Sequence, residues 1–350
     1  MSDPASLSSV TDATAAQRED TPFAPVDAQP ELPRAVICVG ASAGGIEPLR
    51  RFVSSLREDL PAAVLVVVHF PPEGESALDR ILGRASVLPT LRPADGERMV
   101  AGRVYVAPPD RHLVVADGVM RVTRGPRENA LRPAVDPLFR TAAQAYGRHA
   151  IAVVLSGTGS DGSAGAAEIK ERGGRVLVQD PAEALHPSMP SRTIDRVDPD
   201  AVLGAADLAT FAASLTDDLP GVAEPAVVSP SDPTESGEAS GFTCPECGGA
   251  LWEHGRGGTT RFVCRVGHAY TPEALMARYD SNLEDVLWSS IRALEEQASL
   301  SERLATRFEA SGNTRSAGRF RERQEESARS ARALRSLMLD GQLEDDAAQN

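Results

Sequence analysis

Residues 35–56 read AVICVGASAGGIEPLRRFVSSL: an apolar run, a glycine-rich turn and a helical pattern. Ala35–Val39 is apolar on both faces, which predicts a strand covered on both sides, the habit of parallel sheets sandwiched between helices. Gly40-Ala41-Ser42-Ala43-Gly44-Gly45 then leads straight into a helix over Gly45–Leu56. Strand, tight turn and helix in that order are the first half of a βαβ unit.

The same alternation recurs downstream. Strands are expected at Ala62–Val68, Val104–Ala107, Ile151–Leu155, Arg175–Val178 and Ala201–Leu203, and helices at Ala77–Gly83, Pro137–Tyr146 and Ala164–Glu171. His112–Val122 is interrupted by Asp117-Gly118, a pair that tolerates the positive φ angles of a type I′ hairpin turn. The pattern predicts an α/β domain with a doubly wound, mostly parallel sheet over residues 34–215. Such sheets carry their sites at the carboxyl ends of the strands.

Residues 1–33 lack periodicity and read as a disordered leader, and 216–241 as a flexible acidic linker. A cysteine-containing module covers 242–271, and a helical tail runs over 272–340. At 25% charged and 41% hydrophobic, the 350 residues are ordinary globular material. A net charge of −14 argues against a general nucleic-acid binder, because phosphate contacts need clustered Lys and Arg. No apolar run approaches the roughly 20 residues that span a bilayer, and the first residues lack the basic and apolar regions expected of a signal peptide. A cytoplasmic protein without membrane insertion is expected. Four cysteines are too few and too clustered for a disulfide framework.

Three chemistries compete for the turn at Gly40–Gly45. A dinucleotide fingerprint wants a glycine where Ser42 stands and an acidic residue at the end of the second strand, which here ends in His69. A P-loop needs Gly-Lys-Ser/Thr, which is absent. A nucleophile elbow, G-x-S-x-G, exposes a serine on a strand-to-helix turn and fits best, although small turns at such junctions are often only packing devices. His69 ends the adjacent strand, where a base for Ser42 belongs. Asp161, in the loop Ser156–Gly162 after the Ile151–Leu155 strand, supplies a carboxylate to fix the imidazole tautomer. The chain order Ser, His, Asp differs from that of α/β-hydrolases. His112 opens a strand and reads as structural, and His149 and His186 have no evident carboxylate partner; all three read as bystanders.

Residues 34–214 resemble the catalytic domain of the bacterial chemotaxis receptor methylesterase, the CheB family. The segments VGASAGGIEPL, VVVHFPP, VYVAPPDRHL, RPAVDPLFR, LSGTGSDGSAGAAEIKERGG and SMPSRTI carry the resemblance, in the family's order. It implies a serine hydrolase that cleaves glutamate γ-methyl esters on chemoreceptors and deamidates particular receptor glutamines. Its triad falls on Ser42, His69 and Asp161. The oxyanion donors are expected at the amide of Ala43 and, by resemblance, from Gly157–Gly159 with Thr158 at its centre. Two departures touch that site: Ala43 stands where the family often has Thr, and Thr158 where it often has Met. The leader is too short for the receiver domain of the best-known member, so regulation by an aspartyl phosphate of its own is not expected. No cofactor is expected for catalysis.

Cys244-x₂-Cys247 and Cys264-x₃-His268 have tetrahedral zinc spacing, and predict a structural Zn²⁺ in a zinc-ribbon-like module. His254 is a competing ligand with poorer spacing. In the tail, Leu283, Leu287, Ile291, Leu294, Leu304 and Phe308 form one apolar stripe. After the Gly312-Asn313 break come Phe320, Leu334 and Leu337. A helical hairpin or a dimerising bundle is expected, giving a homo-oligomer through the tail in the second case. The arginines from Arg315 to Arg335 alternate with Glu322, Glu325 and Glu326. They read either as a solvated face or as a surface for an acidic helical signalling protein such as a methylated receptor. The competing function is a catalytically idle scaffold that docks through the module and tail; a nicotinamide-dependent oxidoreductase comes third.

Overall fold

The computed structural model describes residues 32–70, 76–219, 221, 225–226 and 237–348, with side chains to residue 339. The expected leader, but for its last two residues, and most of the expected linker lie outside the described residues. The linker's described ends belong to a helix and a strand.

The chain begins with β1 (Ala35–Ala41), α1 (Ile46–Ser54), β2 (Ala62–Val68), α2 (Leu78–Ala85), β3 (Thr90–Leu91) and β4 (Arg103–Val106). A hairpin of β5 (His112–Ala116) and β6 (Val119–Thr123) follows, turning through Asp117 and Gly118, both at positive φ as expected. Then come α3 (Val135–Tyr146), β7 (Ala150–Val154), α4 (Ser163–Glu171), β8 (Arg175–Gln179), α5 (Ser188–Arg196), β9 (Ala201–Leu203) and α6 (Ala205–Asp217).

Seven strands form one sheet in the order β3-β4-β2-β1-β7-β8-β9, with every pairing parallel. All residues of β1 and β2 are buried, which is why the sequence shows continuous apolar runs there and no alternation. Alternate side chains serve two cores. Ile37, Val39, Val64 and Val66 pack with Leu49, Phe52 and Leu208 on one face. Val36, Cys38, Leu65 and Val67 pack with Leu138, Phe139 and Ile169 on the other. Each fully buried Leu or Phe contributes about 1.5–3 kcal/mol, so the two clusters carry most of the driving force. The chain builds outward from β1 to β4, then returns to β7 on β1's other side. The crevice between β1 and β7 is therefore the switch point where open α/β sheets bind ligands.

A second, antiparallel sheet holds β10 (Glu238–Thr243), β11 (Ala250–His254), β12 (Arg261–Cys264) and β13 (Ala269–Tyr270). From it springs α7 (Pro272–Ala310), 39 residues and about 58 Å long, which packs against α8 (Thr314–Ala348). The hairpin is formed as expected, and its seam holds most of the expected stripe: Ile291 is buried, and Leu287, Leu294, Leu304, Phe308, Phe320 and Leu334 are half-buried. Ile291, Ala298, Ser301 and Ala305 face Ala317, Ser327 and Ala331, all buried, whereas Leu283 and Leu337 are exposed. Heptad spacing of small residues brings the helices close, and the larger apolar residues at its ends lie beyond the contact. The Phe308 and Phe320 rings stack at 5.5 Å across the turn. Among the described residues, no helix is long and apolar enough to cross a membrane.

Candidate active site and metal centre

The elbow follows directly from the end of β1. Ser42 donates its amide to the Ser156 carbonyl at 3.0 Å, so the serine is pinned to the loop after β7. The Gly45 amide closes the turn on the Ser42 carbonyl at 2.9 Å, and Gly44 takes φ 68°, a left-handed value that favours glycine. Ser156 braces the turn from beneath: its hydroxyl donates to the Ala43 carbonyl at 3.0 Å, and its amide donates to Gln179 Oε1 at 2.8 Å.

His69 reaches the elbow by register. Ala41 lies opposite Val68 in the parallel ladder, and the His69 amide donates to the Ala41 carbonyl at 3.2 Å. One residue further, Ser42 and His69 are neighbours on adjacent strands, about 4.8 Å apart in the backbone. Alternation places both on the face of Cys38 and Val67, the face that α3 covers. Ser42 is half-buried, and its hydroxyl has no hydrogen-bond partner among the described residues.

Asp161 closes the constellation. Its Oδ2 lies 2.7 Å from His69 Nε2, and the two side chains are 2% and 8% exposed. The carboxylate accepts three further bonds: from the Val135 amide at 2.6 Å, the Asp136 amide at 3.1 Å and Asn129 Nδ2 at 2.9 Å. Two of these donors are the first amides of α3, where unsatisfied N–H groups and the helix dipole favour an anion. Burial pushes the Asp161 carboxyl up, but the hydrogen bond and charge of His69, with the Val135 and Asn129 donors, outweigh it and bring it down to about 2. The acid is therefore an anion that can only accept, so Nε2 of His69 is the donor of this bond and Nδ1 is the ring nitrogen left facing away from the acid.

Asp136 lies beside it with the opposite tendency. Burial, then the charge of Asp161, push its carboxyl well above the ordinary range. Its Oδ1 accepts the Gly162 and Gly165 amides at 3.0 and 2.7 Å, and its Oδ2 accepts Asn129 Nδ2 at 2.8 Å. Asn129 and Asp136 escape sequence reading. Asn129 sits in a turn of two consecutive left-handed residues, Asn129 and Ala130, and nothing in Glu-Asn-Ala-Leu announces it.

The expected oxyanion donors divide. The Gly157 amide is occupied by the His186 carbonyl at 2.9 Å and drops out of the Gly157–Gly159 set. The amides of Ala43 and Thr158 donate to no group among the described residues. Gly157 serves instead as a gap: a Cβ there would meet Met189 Sδ at 2.1 Å and Ser42 Cβ at 2.8 Å. Of the expected bystanders, His112 bonds backbone through both ring nitrogens, to the Pro126 carbonyl at 2.9 Å and the Ala134 amide at 3.3 Å. His149 Nδ1 lies 2.8 Å from the Arg34 carbonyl.

The second constellation is Cys244, Cys247, Cys264 and His268, whose ligand atoms all lie within 4.8 Å of one another. His254, the competing ligand, is outside the set. Cys247 and Cys264 sulfurs are 3.7 Å apart, and His268 Nδ1 is 3.7 and 3.6 Å from the sulfurs of Cys244 and Cys264. Metal–sulfur bonds of about 2.3 Å and metal–nitrogen bonds of about 2.05 Å at tetrahedral angles require edges of about 3.8 and 3.6 Å. These three edges match those of a tetrahedral ion. Glu246 Oε2 stands 3.3 Å from the other ring nitrogen of His268, and its Oε1 accepts the Tyr270 hydroxyl at 2.9 Å, an outer shell that orients the ligand.

The "CheB methylesterase" family model matches residues 37–211. A protein-glutamate methylesterase/protein-glutamine glutaminase of Rhodospirillum rubrum is 37% identical over 202 residues, covering 56% of this chain and 52% of that relative. One from Anaeromyxobacter dehalogenans is 42% identical over 169 residues, covering 47% and 49%. The chain thus spans about half the length of the curated relatives it matches. The crystal structure of the Thermotoga maritima CheB methylesterase catalytic domain aligns with TM-score 0.50 and 33% identity, covering 52% of this chain and 98% of that one.

Proposed function

From the chain's membership of the CheB methylesterase family we propose that it hydrolyses glutamate γ-methyl esters on a chemoreceptor-like helical signalling protein, with Ser42 as nucleophile, His69 as base and Asp161 as its anchor. The observation that carries this reading is the buried 2.7 Å His69–Asp161 pair at the strand end next to the Ser42 elbow. Nδ1 of His69 takes the Ser42 proton as Oγ attacks the ester carbonyl. The amides of Ala43 and Thr158 receive the developing oxyanion. The intermediate collapses with methanol leaving, protonated by His69, and water then attacks the acyl-serine to release glutamate. The same acyl chemistry on a glutamine side chain releases ammonia, which makes receptor deamidation a second outcome of one site. No cofactor enters these steps.

The Cys₃His set suits a structural Zn²⁺, since all four positions are protein ligands and none is left open for substrate. We read the protein as cytoplasmic, with catalytic residues 34–215, a zinc module over 242–271 and a helical tail over 272–340 for docking or self-association. Methanol release from methylated receptor protein tests the activity. Replacing Ser42 by Ala is expected to lower turnover by about 10⁶ if the three residues act as a unit. Hydrolysis within about tenfold of the parent protein would remove Ser42 from the mechanism.

A further inference from the structure

The antiparallel module does not hang free of the α/β domain. The Asn129 amide donates to the Ala269 carbonyl at 2.7 Å, and the Ala269 amide to the Arg127 carbonyl at 3.3 Å, so β13 is stitched to the loop before α3. Arg196 of α5 donates to the Gly258 carbonyl at 3.0 Å and to both oxygens of Glu273 at 2.5 Å. Ser160 and Thr271 hydroxyls meet at 3.2 Å. The first turn of α7 also walls a cavity of about 260 Å³ whose opposite side is Thr158–Asp161.

At the centre of this seam is the Asn129 side chain. Its Nδ2 donates to Asp161 Oδ1 at 2.9 Å and to Asp136 Oδ2 at 2.8 Å, while its Oδ1 accepts the Thr271 amide at 2.9 Å. Two carboxylates at one end and an N–H at the other permit only one orientation of the amide group. Thr271 is 2% exposed and caps α7, its hydroxyl accepting the Ala274 amide at 3.2 Å, so this donor is itself rigidly held. Asn129 and Ala130 both sit at left-handed φ, 53° and 62°, an unfavourable backbone that persists only where surrounding contacts enforce it. The chain of contacts thus runs from the cap of α7 through one side chain to the oxygen next to the one that holds His69.

We propose that Asn129 is a positioning residue for the Asp161–His69 pair, and that the C-terminal module, through the Thr271 amide, is what holds Asn129 in place. The inference rests on the hydrolase reading above for its kinetic arm only. In this arrangement the module completes the acid end of the triad: without the Thr271 donor, Asn129 is free to turn, and Asp161 loses one of its four donors.

Full-length variants test it. Asn129→Gly accepts the positive φ and removes the side chain; it is expected to lower kcat about 10- to 100-fold with little change in KM, because positioning and not binding is lost. Thr271→Pro keeps φ near its native −68° but deletes the N–H. Thr271→Ala keeps the N–H and loses the hydroxyl, so it measures what the cap and the Ser160 contact are worth together. Thr271→Pro is expected to fall well below Thr271→Ala in kcat, and to weaken the low-field proton NMR signal of the His69–Asp161 hydrogen bond, as Asn129→Gly does. Equal kcat and equal signal in the two Thr271 variants would overturn the module's role. An unchanged low-field signal in a folded Asn129→Gly protein would overturn the positioning role. If Asn129→Gly does not fold, the Thr271 pair carries the test. Should Ser42→Ala leave ester hydrolysis intact, the hydrolase reading fails instead, and the proton signal alone decides the inference.

Discussion

Gly157→Ala is a one-methyl test of the active site's geometry. A Cβ at this position would stand 2.1 Å from Met189 Sδ and 2.8 Å from Ser42 Cβ. The two contacts differ in kind. Met189 Sδ is near the end of a flexible side chain and can swing aside, at a cost of about 1–3 kcal/mol for overpacking a tight site. Ser42 Cβ is one bond from a backbone pinned by the Ser156 carbonyl and by the closing Gly45 bond, so it has no such freedom. Restoring an ordinary carbon–carbon separation of about 3.5–4.0 Å requires the elbow and the Gly157 loop to part by about 1 Å. A displacement of that size between reacting groups costs about 100-fold in rate. Methanol release should therefore fall by about two orders of magnitude, and fluorophosphonate labelling of Ser42 should slow in parallel. Adding Met189→Ala to the variant should recover thermal stability but not activity. A folded Gly157→Ala protein with activity within about twofold of its parent would refute the placement of Ser42 against Gly157.

Asp161→Asn should lose stability in a pH-dependent way. The native carboxyl, held at about 2 against about 3.9 in the unfolded chain, stabilises the fold by about 2 kcal/mol above pH 4. The contribution disappears as pH falls through about 2, so parent and variant should converge in acid denaturation there and differ most near neutrality. Purified protein should carry one zinc by elemental analysis and lose it in Cys264→Ser; protein isolated without metal, with a melting curve indifferent to chelator, would contradict the structural-zinc reading. Ala305→Leu overfills the α7–α8 seam and should lower helix-hairpin melting by about 1–3 kcal/mol while ester hydrolysis holds; a full loss of hydrolysis would mean that the hairpin reaches the catalytic site.

What the sequence discloses follows what a single residue type can signal. β2 and β9 are read to their terminal residues because continuous Val, Ile, Leu and Ala runs have few competing explanations. β3 is two residues long and too short for any period to show. α5 contains Pro190, and its mostly polar sequence hides it. β10 reads as linker because Glu-Ala-Ser-Gly-Phe-Thr has strand partners only after folding. The hairpin seam is legible in part: Ile291 of the apolar stripe is buried in it, but Ala298, Ala305 and Ala331 complete the contact, and alanine gives hydrophobic periodicity little weight. In the site, Ser42, His69 and Asp161 are legible because each lies at the end of a recognisable strand or in the loop just beyond one. Asn129 and Asp136 are not, because their position comes from a strained turn and a helix start brought together by tertiary contacts.

In the proposed mechanism, which imidazole nitrogen faces the acid bears on why the serine comes from the adjacent strand. With Nε2 committed to Asp161, the free lone pair is on Nδ1, the ring nitrogen closer to the backbone. A base on that short arm serves only a nucleophile close to the histidine's own main chain. Adjacent parallel strands separated by about 4.8 Å provide such a neighbour, and the Ala41–Val68 register places Ser42 there. The long arm of the ring is then free to reach along the carboxyl end of the sheet to the loop after β7, where α3's first amides hold the carboxylate. In the proposed mechanism register and tautomer are thus linked: Ser42 and His69 side by side leave Nε2 for the acid, and Asp161, in the loop after β7, meets it.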